Sequence, residues 1–218
     1  MLISRKHKFI FIHVPKNAGT SVQNALLNYS NYACRFQNTQ LMYYFKKLVG
    51  NNYYLTTFGK HIPVSDLKSI IGKKWDNYRS FAVCRNPYDR LVSRYHYFKH
   101  VDGSYENRKF KSFSSFKEHV MSLNDKTWND LQTWYISSDG KIGVDHLLRF
   151  ESLEDDWKKL LKDLNMPPIE LFTKNRSPRA TNHMEYYDQE ILDKVNQLFK
   201  YDFEMLGYDQ IATLSESI

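Results

Sequence analysis

Short apolar runs and helix-period segments alternate along this chain. The run Phe9-Ile10-Phe11-Ile12 predicts a buried strand over residues 8–14, and comparable apolar or β-branched runs predict strands over 53–58, 80–85 and 144–150. Between and after them, apolar positions three and four apart predict helices over 20–27, 64–71, 87–99, 113–123, 153–164 and 188–199. Ser65 and Ser152 read as helix N-caps with acids in the turn that follows. Segments 102–112 and 174–183 are polar, carry Gly or Pro, and read as loops. Strands that alternate with helices imply an α/β fold with a parallel sheet covered on both faces. In such sheets ligands sit beyond the carboxyl ends of the strands, where Lys16 and Arg85 fall.

A length of 218 residues favours one domain, taken as 1–218, with enough buried surface for a real core. The two cysteines, Cys34 and Cys84, form neither a metal pattern nor a disulfide framework, and Cys84 lies inside a predicted buried strand, so a reduced compartment is expected. No apolar run approaches the roughly 18 residues a membrane span needs, and the first apolar segment is too short for a signal peptide. The sequons Asn28-Tyr29-Ser30 and Asn175-Arg176-Ser177 are read as chance occurrences, and the expected location is cytoplasmic. A net charge of +7 points to acidic ligands, while the scatter of the basic clusters argues against a nucleic-acid tail.

The chemistry concentrates after the first predicted strand, in His13-Val14-Pro15-Lys16-Asn17-Ala18-Gly19-Thr20-Ser21. A strand that breaks into a short turn and restarts as a helix leaves several backbone N–H groups aimed at one spot, and that spot suits an anion. Lys16 adds a full positive charge, and the Thr20 and Ser21 hydroxyls add donors, so a phosphate-like group is expected. A Walker A loop places its lysine after the last glycine. Here lysine comes first.

That order resembles the 5′-phosphosulfate loop of sulfotransferases that use 3′-phosphoadenosine 5′-phosphosulfate (PAPS). A second block, from Phe81 to Tyr95, is similar to the same family's 3′-phosphate motif R-[ND]-P-x-x-R-x-x-S, with Arg85, Asn86, Pro87, Arg90 and Ser93 in register. The pair of motifs looks most like the carbohydrate branch, which includes heparan sulfate 2-O-sulfotransferase and stand-alone bacterial relatives. The resemblance extends from about Phe9 to Tyr208. It implies a P-loop-like parallel sheet flanked by helices on both faces, PAPS as cofactor, 3′,5′-adenosine bisphosphate as product, and a carbohydrate hydroxyl as acceptor.

Residue by residue, it assigns Pro15, Lys16, Asn17, Ala18, Gly19, Thr20 and Ser21 to the 5′ end of the cofactor. Backbone N–H groups of residues 17–21 and the two hydroxyls hold the phosphate, and Lys16 compensates the leaving-group charge. Arg85 and Ser93 fall to the 3′-phosphate, with an Arg85–Asp89 pair at a helix start as the plainer alternative. Asn86 reads as an N-cap before Pro87 at the first helical position. Asn175, Arg176, Ser177, Arg179 and Thr181 form a basic polar loop, and with Tyr186, Tyr187, Asp202, Phe203 and Tyr208 after it the resemblance implies a lid over the adenosine. Tyr88, Leu91, Tyr95 and Phe98 have core spacing, and Arg90 and Arg94 are read as solvated or salt-bridged.

An acceptor hydroxyl needs a base. His61 is preferred among eight histidines because it follows a predicted strand and stands in a Gly-x-His setting, with Glu106 or Glu118 as the alternative. His13 is expected to face the core or cap the loop, and His96 and His100 to lie on the surface. Trp128, Trp134, Tyr105 and Tyr135 are candidates for stacking on the acceptor. No metal is required, since lysine and arginine supply the charge. Two rivals are an ATP- and Mg²⁺-dependent phosphotransferase, which should carry the G-K-[ST] order, and a basic nucleic-acid-binding domain, which should carry a recognition motif. The sequence leaves the acceptor and the oligomeric state open.

Overall fold

The structure, a computed structural model, describes residues 1–30, 32–33, 61–100, 112–124, 131–172 and 179–214. The chain divides into two compact units, one of Met1–Cys84 with Tyr135–Phe172 and one of Arg85–Trp134 with Thr173–Ile218. The expected strand at 53–58 and residues 34, 102–111 and 173–178 lie outside the described residues.

The first unit is built on a five-stranded sheet of β1 (Leu2–Ser4), β2 (Phe9–Ile12), β3 (Tyr32–Ala33), β4 (Arg79–Cys84) and β7 (His146–Arg149), ordered β3-β1-β2-β4-β7. The strands β2, β4 and β7 are parallel, as their apolar runs predict, while β1 pairs antiparallel with both β2 and β3. Two and three residues give no readable alternation, which is why β1 and β3 escape a reading of the pattern. A small hairpin, β5 (Ser137–Ser138) with β6 (Lys141–Ile142), completes the strands.

Every position of β2 is buried, and so is every position of β4 after Arg79, so both faces of the sheet are covered. On one face Leu2, Phe9, Phe11, Phe81, Val83 and Leu148 pack with Val22 and Leu26 of α1 (Gly19–Leu26) and with Trp157, Leu160 and Leu161 of α6 (Leu153–Asp163). The α6 positions recur at three- and four-residue spacing and give that helix one apolar stripe. The Trp157 indole N–H, buried with its ring, donates to the Ile169 carbonyl at 2.6 Å.

Helix α2 (Val64–Ile71) has the expected limits, but Pro63 stands at its N-cap and Ser65 lies inside it. Proline has no N–H to satisfy and its φ is already set, so the helix starts directly after it. Ser152 does occupy the N-cap of α6, yet its hydroxyl donates to Asp156 at 3.0 Å and caps no N–H.

The second unit packs α3 (Pro87–His100), α4 (Phe116–Met121), α7 (Gln189–Leu198) and α8 (Lys200–Leu206) around Tyr88, Leu91, Val92, Tyr95, Val120, Leu192, Val195 and Phe203. Tyr88, Leu91 and Tyr95 are core, with Phe98 packed against them, as their spacing predicts. The Tyr88 hydroxyl meets the Asn196 carboxamide and accepts the Ile211 N–H, and Tyr187 donates its hydroxyl to the Tyr88 carbonyl at 2.9 Å. His96 is not a surface residue: its ring sits 5.2 Å from Tyr95 and 4.8 Å from Tyr186 with both nitrogens buried, covered by a residue ninety positions away. A further short helix, α5 (Gln132–Ile136), lies between α4 and β5 in the chain. Among the described residues no helix is long and apolar enough to cross a membrane.

Candidate active site

In the first unit, the chain leaves β2 at Ile12, turns through Pro15–Ala18 and enters α1 at Gly19. Lys16 and Ala18 both adopt left-handed backbone, with φ of 68° and 55°. Neither residue favours that region, so the turn holds local strain of about 1 kcal/mol at each. Ala18 caps α1 without a side-chain bond, its carbonyl accepting Ser21 N–H at 2.9 Å and Val22 N–H at 3.2 Å. The Ser21 N–H is therefore used within the helix, which leaves its hydroxyl as that residue's donor. Earlier N–H groups of the first turn have no helical carbonyl behind them, the arrangement that at helix starts suits an anion.

Asn17 turns its side chain away from the turn. Its amide donates to the Val83 carbonyl at 2.7 Å and is buried, so Asn17 ties the loop to β4. Gly19 has a steric reason. A Cβ there would fall within the Cδ2 and Nε2 atoms of the His13 ring, and even Cε1 would lie 2.8 Å away, while that ring is itself buried. His13 thus packs under the loop, as one of the two expected roles has it.

His61 stands edge-on to His13, with ring centroids 4.6 Å apart, and Tyr135 lies 6.3 Å from it. The His61 Nδ1–H donates to the His13 carbonyl at 2.7 Å. A carbonyl can only accept, so Nδ1 carries a proton, and in the neutral form of the ring the lone pair belongs to Nε2. That is the tautomer a base requires.

In the second unit Arg85 is held twice. Its backbone N–H donates to Gln132 Oε1 at 2.8 Å, and Gln132 Nε2 donates back to the Arg85 carbonyl at 2.7 Å. Gln132 is in turn fixed by Asp202, whose carboxylate accepts the Gln132 and Thr133 N–H groups at 2.8 and 2.9 Å and the Thr133 hydroxyl at 2.8 Å. A carboxylate at the first turn of α5 satisfies its orphan donors. Burial raises the Asp202 carboxyl above its ordinary range, against the pull of the buried Arg90 guanidinium and of these hydrogen bonds. Arg90 is thus buried and charge-compensated rather than solvated.

The Arg85 side chain gives Nε and Nη2 to Asp89 Oδ2 at 2.7 and 2.6 Å, and Arg179 gives Nη1 to Asp89 Oδ1 at 2.5 Å. Burial would raise the Asp89 carboxyl, but the Arg85 charge and the bonds from Arg179 outweigh it and hold the group below its usual range. The pairing named as the plainer reading of Arg85 therefore exists. It engages two of the five N–H groups a guanidinium carries. Ser93 is buried on α3, four residues beyond Asp89 and so on the same helix face. Asn86 Oδ1 accepts the Tyr88 N–H at 2.9 Å ahead of Pro87, the expected start of α3.

The sulfotransferase family model matches residues 1–209. The chain belongs to the sulfotransferase family. It is an enzyme that transfers a sulfuryl group to an acceptor. This sulfotransferase is also 32% identical over 107 residues to an uncharacterized protein of Archaeoglobus fulgidus, a match that covers 49% of this chain and 84% of that protein. No solved structure matches it.

Of the remaining candidates, Asn175 and Ser177, with Arg176, lie outside the described residues, as do Glu106, Tyr105 and Trp128. Glu118 accepts the Ser114 N–H and hydroxyl at 2.6 and 2.7 Å while its own N–H donates to Ser115, and these bonds hold its carboxyl low. It reaches back from the first turn of α4 to Ser114 while Ser115 caps the helix, and a carboxylate stabilised in that way is a poor base. Tyr187, Asp202 and Phe203 are core residues of the second unit and not parts of a lid. Gln132 and Asp202 support Arg85 without having been singled out for that role, whereas Asp89 is the partner that the plainer reading names. Only the i,i+4 spacing of Arg85 and Asp89 is a signal for any of them in the sequence.

Proposed function

We propose that this sulfotransferase takes its sulfuryl group from PAPS and delivers it to a carbohydrate hydroxyl, releasing 3′,5′-adenosine bisphosphate. The observation that carries the reading is the existence of two separately built cationic sites, a backbone turn with Lys16 in the first unit and the Arg85–Arg179 cluster in the second. A donor phosphorylated at both 5′ and 3′ positions gives each a task. PAPS, as donor, supplies an activated sulfur joined to phosphate through a bridging oxygen. The turn Pro15–Ser21 would bind its 5′-phosphate through the backbone N–H groups of residues 17–20 and the Thr20 and Ser21 hydroxyls, and Lys16 would compensate the charge left on the bridging oxygen. Arg85, Ser93 and Arg179, with Asn175 and Ser177, would hold its 3′-phosphate. His61 Nε2 would take the proton of the acceptor hydroxyl as the new S–O bond forms and the old one to the bridging oxygen breaks. Tyr135, the aromatic ring 6.3 Å from His61, is suited to pack against a sugar face. A cytoplasmic location fits the buried free thiol of Cys84.

A transfer assay tests this with three donors, PAPS, adenosine 5′-phosphosulfate and ATP, against a panel of oligosaccharides. PAPS should support transfer. Adenosine 5′-phosphosulfate, which lacks the 3′-phosphate, should bind about 10- to 150-fold more weakly, the loss of a charge-assisted contact worth about 1.5–3 kcal/mol. His61→Gln should remove most turnover and leave PAPS affinity within about threefold. Equal use of the two sulfate donors, or phosphoryl transfer from ATP, would overturn the reading.

A further inference from the structure

We infer that Asp89 is the positioning residue of the 3′-phosphate site, a carboxylate that holds the Arg85 and Arg179 guanidinium groups side by side for a phosphate dianion. The inference rests on the PAPS reading given above. Three observations within the second unit support it. Asp89 divides its two oxygens between the two arginines, Oδ2 to Nε and Nη2 of Arg85 and Oδ1 to Nη1 of Arg179, so one carboxylate fixes both planes. The arginines come from distant segments, Arg85 ahead of α3 and Arg179, 90 residues beyond Asp89, from the chain leading to α7, and Arg179 Nη1 also reaches the Asp89 carbonyl at 3.4 Å. Ser93, one turn further along α3, shares the helix face of Asp89.

Two guanidinium groups brought together repel, and Arg85 is nearly buried, with its side chain 5% exposed. An interposed carboxylate removes that repulsion and sets the angle of each fork. The cluster keeps net positive charge, two arginines against one aspartate, with His183 Nδ1 a further 3.9 Å from Oδ1. Charge counting alone makes a clear contrary forecast. If Asp89 were only a competing negative charge, its removal would tighten the binding of any anion. If it positions the arginines, its removal loosens the binding of the 3′-phosphate and of nothing else.

The test is calorimetric titration of wild type, Asp89→Asn and Asp89→Glu with 3′,5′-adenosine bisphosphate and with AMP, alongside the thermal midpoint of each protein without nucleotide. Wild type should prefer the bisphosphate by at least about tenfold. In Asp89→Asn that preference should fall to about threefold or less, through weaker bisphosphate binding at unchanged AMP affinity. Asp89→Glu keeps the charge and should recover part of the preference, which also provides the comparison if the asparagine variant is too unstable to titrate. A preference that stays the same or rises in Asp89→Asn overturns the inference, and so does an equal loss for both nucleotides, which marks a merely structural role. Wild type that binds AMP and the bisphosphate equally removes the 3′-phosphate reading itself, and the inference with it.

Discussion

The two regions proposed to hold the phosphates of the donor are made from different materials. In the first unit the turn at Pro15–Ala18 is a backbone device: its donors are peptide N–H groups, its strain sits at Lys16 and Ala18, and its supports, His13, Asn17 and Gly19, lie within a few residues of it. In the second unit the work falls to side chains, with Arg85 held by Gln132 and Asp89, and these by Asp202 and Arg179 from 70 and 90 residues away. Among the described residues, every non-glycine residue with left-handed backbone belongs to the first unit. A local device is rigid because short-range sterics leave it few conformations. A side-chain device is rigid only while its hydrogen-bonded network stays complete.

The sharpest way to break the comparison is Gly19→Ala. The added methyl meets the buried His13 ring, and neither the ring nor the start of α1 has room to yield, so the loop must move by an ångström or so. A displacement of that size at a reacting centre costs about 10²-fold, and turnover should fall by about 10² to 10³. The bisphosphate-over-AMP preference proposed for the second unit should survive within about threefold. Loss of both together would mean that the two devices are not independent.

Asp202→Asn attacks the other side. An amide keeps the shape but swaps one acceptor oxygen for a donor facing the Gln132 or Thr133 N–H, and it leaves the buried Arg90 short of its counter-charge. A stranded buried donor costs about 1–3 kcal/mol, and a broken buried charge pair reaches more. A destabilisation of about 2–3 kcal/mol is expected, read from the urea midpoint at constant slope. An effect below about 1 kcal/mol would show that the network is not what holds Arg85.

The same contrast governs what a sequence discloses. The anion loop, the limits of α2 and the Asn86-Pro87 start of α3 are legible because each depends on neighbours in the chain. Gln132 is not, since a glutamine between Leu131 and Thr133 looks like any polar helix residue until Arg85, 47 positions earlier, is found against it. Asp202 is not legible as the support of Gln132 for the same reason, and His96 reads as an exposed histidine until Tyr186 is found against it. Even within the loop the left-handed backbone at Lys16 and Ala18 is hidden, because lysine and alanine give no hint of a conformation that glycine or asparagine would announce. The reason for Gly19 is likewise hidden. Pattern shows that a glycine stands there, and only the His13 ring shows why.

The smallest expected effect sharpens the comparison most finely. Ala18 holds φ at 55° with its side chain half-buried, so Ala18→Gly relieves about 1 kcal/mol of backbone strain and removes one methyl of limited packing. Against this, glycine gives the unfolded chain about 0.4–1 kcal/mol more conformational entropy to lose. The two nearly cancel, and the thermal midpoint should move by no more than a few degrees, for this chain equivalent to less than about 1 kcal/mol. Turnover should nonetheless drop a few-fold, because a glycine at that point lets the first N–H groups of α1 sample directions that alanine forbids. If the strain is what pre-sets the loop, the variant gains stability or stays level while it slows. A variant that loses more than about 1 kcal/mol would show instead that the methyl is a packing group and that the left-handed turn is tolerated rather than used.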